Sequence, residues 1–277
     1  MNTLRFASCI VLSFVLVLSA CTSPAPTATS VPVQETSPTS EPVPITPVES
    51  AFAPGNPTVV PLEDIIEFHT VTFETPDGAT LTGELYGSGT TAVVFSLMGS
   101  CKQGWRELAQ QTAAQGLMAL TYEWRDCSGP GRVDETELSR NFLNDTRGAI
   151  EFVREQGASE VILAGASLGG LASAKLAIEA DATGLIVFAS PMGIPRWDFE
   201  IDAADLDTDI PKLFLIADND TVVPLASSRA LYDLAAEPKE WQIYHGFEHG
   251  TDLLEREHGE EAAQQILEFI LMIANEK

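Results

Sequence analysis

Three stretches of this chain carry residue types and spacings suited to covalent chemistry. The first is Gly165-Ala166-Ser167-Leu168-Gly169, where a short apolar run stops at a glycine and a helical pattern begins after the serine. These residues fit G-x-S-x-G, a strand–turn–helix elbow whose small neighbours let the backbone bend sharply enough to hold a serine hydroxyl clear of a sheet. A helix starting at Leu168 aims free N–H groups and the positive end of its dipole at the place where an oxyanion would form. The competing reading is a glycine-rich turn in which Ser167 is only a cap.

A serine hydroxyl is a poor nucleophile at neutral pH and needs a base in hydrogen-bond reach, oriented in turn by an acid. The chain has four histidines. His69 falls in the first strand pattern and His258 near the start of the last helix pattern, away from strand ends. His245 continues the last strand pattern, packed or partly exposed, whereas His249 in Gly246-Phe247-Glu248-His249-Gly250 sits on a loop between glycines. The acid is sought on Ala217-Asp218-Asn219-Asp220-Thr221, which follows a strand pattern. Asp220 is the better placed of the two aspartates; Asp218, nearer the strand, suits bracing the turn through its side chain. The triad is then Ser167, Asp220 and His249, in that chain order.

Those loops need a scaffold. Phe68 to Glu74 and Ala79 to Tyr86 alternate around Pro76-Asp77-Gly78 as a hairpin. From Ala92 onward short apolar strands alternate with helices: strands at 92–97, 117–124, 161–164, 185–189, 212–217 and 241–244, and helices at about 105–115, 138–155, 168–180, 225–235 and 259–274. In the second helix Phe142, Ile150 and Val153 are the expected core contacts. This is the signature of an α/β, mostly parallel sheet, wound on both faces by helices. Chemistry in such sheets gathers in the loops at the carboxyl ends of the strands, where all three stretches lie.

Composition narrows the partners. Forty acidic against fifteen basic side chains give a net charge of −25, which argues against nucleic acid and repels anionic substrates. Arg5, the apolar run from Phe6 to Leu18 and the small residues before Cys21 read as a signal peptide over 1–20. The stretch Leu18-Ser19-Ala20-Cys21 resembles a bacterial lipoprotein lipobox, which implies cleavage before Cys21, a lipid on its sulfur and a place at the outer face of a cell membrane. Residues 21–57, rich in Pro, Thr and Ser, form a tether, and 58–277 the folded domain. The first 57 residues hold only Arg5, Glu35, Glu41 and Glu49 as charges, so the acidity belongs to the domain. Export leaves Cys101 and Cys127 as a pair in an oxidising compartment.

From about Phe68 to the end, the chain resembles the α/β-hydrolases of the small esterase and acyl-hydrolase kind. The resemblance rests on the Gly165–Gly170 elbow, the Asp220-x-x-Val223-Pro224 acid loop, the His249-Gly250 loop, Glu123-Trp124-Arg125 with Gly129-x-Gly131, and the Ser, Asp, His order. It implies cleavage of a small ester or thioester through an acyl-enzyme, without metal or cofactor; action on short peptides is a neighbouring alternative. The backbone N–H groups of Leu168 and Ser100 are the expected oxyanion donors, although Met98-Gly99 stands where the family usually has His-Gly. That departure, with the anchor and tether, motivates a rival reading as a non-catalytic lipoprotein that uses the scaffold to bind a ligand or partner. The resemblance further implies that the Cys101 and Cys127 loops are neighbours, and with it a disulfide between them. Met98, Met192, Trp197 and Phe199 are candidate pocket walls, with packing on the domain the alternative for the aromatic pair. The acidic residues of the insert between Pro191 and Ile210 read as a solvated face, since a calcium loop has tighter ligand spacing and a central glycine.

Overall fold

The structure, a computed structural model, describes residues 67–97, 103–125 and 137–276. The expected signal peptide, Cys21 and the tether lie outside the described residues, as do Met98, Ser100, Cys101 and Cys127.

The hairpin is β1 (Phe68–Glu74) and β2 (Thr80–Tyr86), antiparallel from Phe68↔Tyr86 to Glu74↔Thr80. There follow β3 (Thr91–Leu97), α1 (Arg106–Ala114), β4 (Met118–Glu123), α2 (Leu138–Glu155), β5 (Glu160–Ala166), α3 (Leu168–Leu176) and β6 (Gly184–Phe188). An insert holds two short strands, β7 (Gly193–Ile194) and β8 (Phe199–Glu200). The chain closes with β9 (Lys212–Ala217), α4 (Leu225–Leu234), β10 (Lys239–Tyr244) and α5 (Gly259–Asn275). Among the described residues the main sheet has eight strands in the order β1-β2-β4-β3-β5-β6-β9-β10. All pairs from β4 to β10 are parallel. The expected architecture is observed.

Strand order dictates where ligands belong. The β3–α1–β4 connection runs one way along the sheet, while those through α2, α3 and α4 run the other. Right-handed crossovers therefore put α1 on one face and α2, α3 and α4 on the opposite face. In keeping with that, α1 packs beside α5 and α2 beside α3. The reversal falls between β3 and β5, so their carboxyl ends open a crevice at the switch point. Ser167 is the first residue beyond β5.

The elements form because their apolar residues share a face. On α2, Phe142, Ala149, Ile150 and Val153 fall on a helical stripe and are buried. Burying each large apolar side chain of this kind stabilises by about 1.5–3 kcal/mol. The helix α3 is buried along its length, as its run of Leu, Gly and Ala suggests.

Several boundaries differ from the sequence reading: α3 ends at Leu176 rather than Ala180, and β10 begins at Lys239 rather than Trp241. The strand β5 continues through Gly165 to Ala166, because Gly165 keeps its place in the ladder opposite Ser96 and Val187. A Cβ at Gly165 would stand 2.1 Å from the Gly169 carbonyl oxygen, so glycine there lets the strand touch the start of α3. The insert is ordered: β7 and β8 pair, and Asp202 and Asp205 form a capping box on the turn Ala203–Leu206. Two of its acidic residues are thus used locally, and Lys175 ties Asp205 to α3 at 2.7 Å.

Candidate active site

Ser167 joins β5 to α3 with φ 55° and ψ −122°. A positive φ on a residue with a Cβ is strained, costing about 1–3 kcal/mol, and such strain concentrates at functional sites. The turn is held on several sides. Its N–H donates to the Phe188 carbonyl at 2.9 Å, and its own carbonyl accepts from Gly170 at 3.1 Å and Leu171 at 3.3 Å. The same carbonyl accepts the Ser190 hydroxyl at 2.8 Å. Ser190, buried beyond the end of β6, is in turn fixed by the Ser228 hydroxyl, which donates to its carbonyl at 2.6 Å. Sequence reasoning passed over Ser190. Its one signal was its place, as the polar residue that ends an apolar strand at the carboxyl edge.

Asp220 and His249 meet. The imidazole Nδ1 of His249 lies 2.8 Å from Asp220 Oδ2 and 3.1 Å from Oδ1. The carboxylate is fully buried, and Oδ1 also accepts the backbone N–H groups of Val222 and Val223, each at 2.8 Å. A carboxylate so held keeps Nδ1 protonated and leaves Nε2 as the basic nitrogen. The histidine loop rests on the elbow: a Cβ at Gly250 would lie 3.5 Å from that of Ala166, one residue before Ser167. Gly250 has φ 56°, a conformation glycine adopts without strain, so it suits the tight turn that follows His249.

Leu168 opens α3, so its N–H is among those without an intrahelical acceptor. The proposed second donor, Ser100, lies outside the described residues. What leads into that segment is firm. The indole N–H of Trp105 donates to the Ser96 carbonyl at 3.1 Å, and the buried ring packs on Phe95 and Phe188 at 5.2 and 6.1 Å.

The other histidines take other roles. His245 is bonded through Nδ1 to Asp218 at 2.9 Å, with its side chain 80% exposed. That hydrogen bond and the carboxylate charge push the imidazole's pKa up. Burial works to raise the Asp218 carboxyl, but the bonds from His245 and Gly246 prevail and hold it below its usual range. Asp218 thus braces, as its place in the sequence suggested, though across to the next loop rather than within its own turn. The His258 ring lies tilted against Tyr244 at 5.9 Å, and His69 lies on the edge strand β1.

Of the candidate pocket walls, Phe199 is buried in the core, which is the packing alternative. Trp197 is half-buried against that core beneath the Arg196 guanidinium at 4.4 Å. Met192 is exposed, and so are two residues that were not singled out, Val222 and Phe247. The three lie on the loops after β6, β9 and β10, and Val222 and Phe247 are two residues from Asp220 and His249. Arg125, beyond β4, forks onto Asp77 in the hairpin turn at 2.7 and 2.8 Å and bonds the buried Asp145 of α2 at 2.7 Å. It thereby secures the entry to the loop after β4.

No family model matches the sequence, and no curated protein does. Solved structures do. The Pyrococcus furiosus esterase Pf2001 superposes with a TM-score of 0.59 at 14% identity, over 74% of this chain and 92% of that one. The esterase domain of a Rhodothermus marinus protein gives 0.58 at 17%, over 74% and 96%. Brefeldin A esterase, a bacterial homologue of human hormone-sensitive lipase, gives 0.61 at 16%, over 82% of each chain. This is the α/β-hydrolase fold. The Ser167 turn and the loops of Asp220 and His249 follow β5, β9 and β10, and so lie at the carboxyl edge of the parallel sheet.

Proposed function

We propose that this chain is a serine esterase that cleaves a small neutral ester by way of an acyl-enzyme on Ser167. The observation that carries the reading is the bond between His249 Nδ1 and the buried Asp220 carboxylate, on a loop that rests against a strained serine turn. Ser167 Oγ attacks the ester carbonyl and passes its proton to His249 Nε2, while Asp220 stabilises the imidazolium. The N–H groups of Leu168 and Ser100 hold the oxyanion. Collapse returns the proton to the departing alcohol and leaves the acyl group on Ser167. Water, deprotonated by the same imidazole, then attacks the acyl carbonyl, and the acid departs as Ser167 recovers its proton. Thioesters follow the same course.

Two features support the substrate class. The exposed apolar side chains of Met192, Val222 and Phe247, on the loops after β6, β9 and β10, suit a hydrocarbon substituent. The net charge of −25 disfavours anionic esters. We further propose that residues 1–20 are a lipoprotein signal, that Cys21 carries the lipid with 21–57 as tether to a catalytic domain over 58–277, and that Cys101 pairs with Cys127. Two free thiols in the unreduced mature protein would refute the pairing, and mature protein without lipid on Cys21 the anchor.

A fluorophosphonate is expected to label Ser167, and short-chain nitrophenyl esters to be hydrolysed, with Ser167→Ala losing both. Wild-type protein inert to both reagents over roughly pH 6 to 9, a range that takes a histidine base from mostly protonated to neutral, would instead favour a ligand-binding role for the scaffold.

A further inference from the structure

We propose that Asp218 and His245 form a second acid–imidazole pair whose task is to position the first. They latch together the two loops that carry Asp220 and His249. The proposal rests on the triad reading for its effect on rate, but the latch itself stands on geometry.

The strands β9 and β10 run side by side as far as Ala217↔Tyr244, and beyond that pair the backbone ladder ends. Left there, two loops of different lengths would diverge, one to Asp220 three residues on, the other to His249 five residues on. Asp218 extends the pairing. Its N–H donates to the Tyr244 carbonyl at 2.8 Å, and that of Asn219 to the Gly246 carbonyl at 3.0 Å. The Asp218 side chain adds two more links: Oδ2 to His245 Nδ1 at 2.9 Å, and Oδ1 accepting the Gly246 N–H at 3.1 Å. The Asn219 amide donates to the same Oδ1 at 2.8 Å, which fixes the carboxylate plane. Four links therefore stitch residues 218–219 to 244–246, immediately ahead of the two residues whose separation must stay at 2.8–3.1 Å.

The chemistry of the pair suits this role. An ionised carboxylate bonding an imidazole N–H and a backbone N–H makes charge-assisted bonds, roughly twice as strong as neutral ones. These hold whether His245 is neutral or protonated, because Nδ1 donates in both forms. With most of its ring in water, the imidazole meets a solvent that competes for each bond, yet the structure keeps it on Asp218. The charged group facing it besides Asp218 is Glu257. Positional error at a catalytic pair is costly: a displacement of about 1 Å can lower a rate about a hundredfold. Asp218 and His245 are thus positioning residues.

The test uses the full chain carrying Asp218→Asn, His245→Ala or His245→Asn; the last keeps an N–H donor near the place of Nδ1–H. Asp218→Asn and His245→Ala are expected to lower kcat on a nitrophenyl ester about ten- to hundredfold. KM should stay within about twofold and the circular dichroism should not change, while His245→Asn recovers most of the rate. Independently of turnover, the downfield proton resonance of His249 Nδ1–H is expected to exchange with water several-fold faster in the two damaged variants. Wild-type kcat together with wild-type exchange in both would overturn the latch. So would a defect confined to KM, or His245→Asn no better than His245→Ala. Should wild-type protein show no turnover, the triad reading falls while the proton exchange still decides the latch.

Discussion

Replacing Ser167 by glycine is expected to abolish acyl transfer and, at the same time, to stabilise the protein relative to Ser167→Ala. The serine sits at φ 55° and ψ −122°, outside even the small left-handed region that non-glycine residues occasionally visit. Alanine keeps the Cβ and so keeps the strain, of about 1–3 kcal/mol. Glycine removes it but loses more chain entropy on folding, a penalty of about 0.5–1 kcal/mol. The net gain of glycine over alanine is then about 1 kcal/mol, equivalent to about 2–4 °C in Tm for a domain of this size. Both variants lose the hydroxyl, so the comparison isolates the backbone. Thermal and urea unfolding of the two side by side give the answer. If Ser167→Gly unfolds no later than Ser167→Ala, the turn is not strained, and the inference from strain to a functional serine fails with it.

Asp220→Asn preserves an acceptor for the Val222 and Val223 N–H groups and should fold normally while losing about 10⁴ in kcat. Asp220→Ala should in addition lose about 1–3 kcal/mol, read by urea unfolding, from the N–H groups left without an acceptor. Arg125→Ala strands the Asp145 carboxylate, whose side chain is wholly buried, and is expected to cost about 3–5 kcal/mol; the double change Arg125→Met/Asp145→Leu should recover much of this. The Arg125 hydrogen bonds hold the Asp77 carboxyl well below the usual carboxylate range. Because the folded pKa is depressed, that contribution is present above the unfolded value of about 4 and is lost as pH falls further. Wild type should therefore exceed Asp77→Asn in stability at pH 7, and the gap should narrow in acid denaturation below about pH 4.

The alternation of short apolar strands with amphipathic helices was enough to determine the sheet and its helical cover, since burial on both faces leaves a continuous apolar run that few other folds produce. The strands at Phe68–Glu74 and Lys212–Ala217 and the helix α2 lie where the pattern placed them. The Ser167 turn was readable because glycine and serine are required at particular backbone positions, and Asp220 and His249 because each follows a strand. Tertiary structure decided the rest. Phe199 and Trp197 look alike as aromatic residues on an insert, yet one is buried and the other half-buried, because Phe199 is paired with Ile194 in β7–β8 while Trp197 ends the turn between those strands. Ser190 and Ser167 are 23 residues apart and meet because α3 returns the chain to the neighbouring strand. Two aspartates on one loop and two histidines on the next permit two one-to-one pairings. Which acid takes which imidazole depends on where β9 and β10 stop pairing, a matter of register between strands that no local pattern encodes.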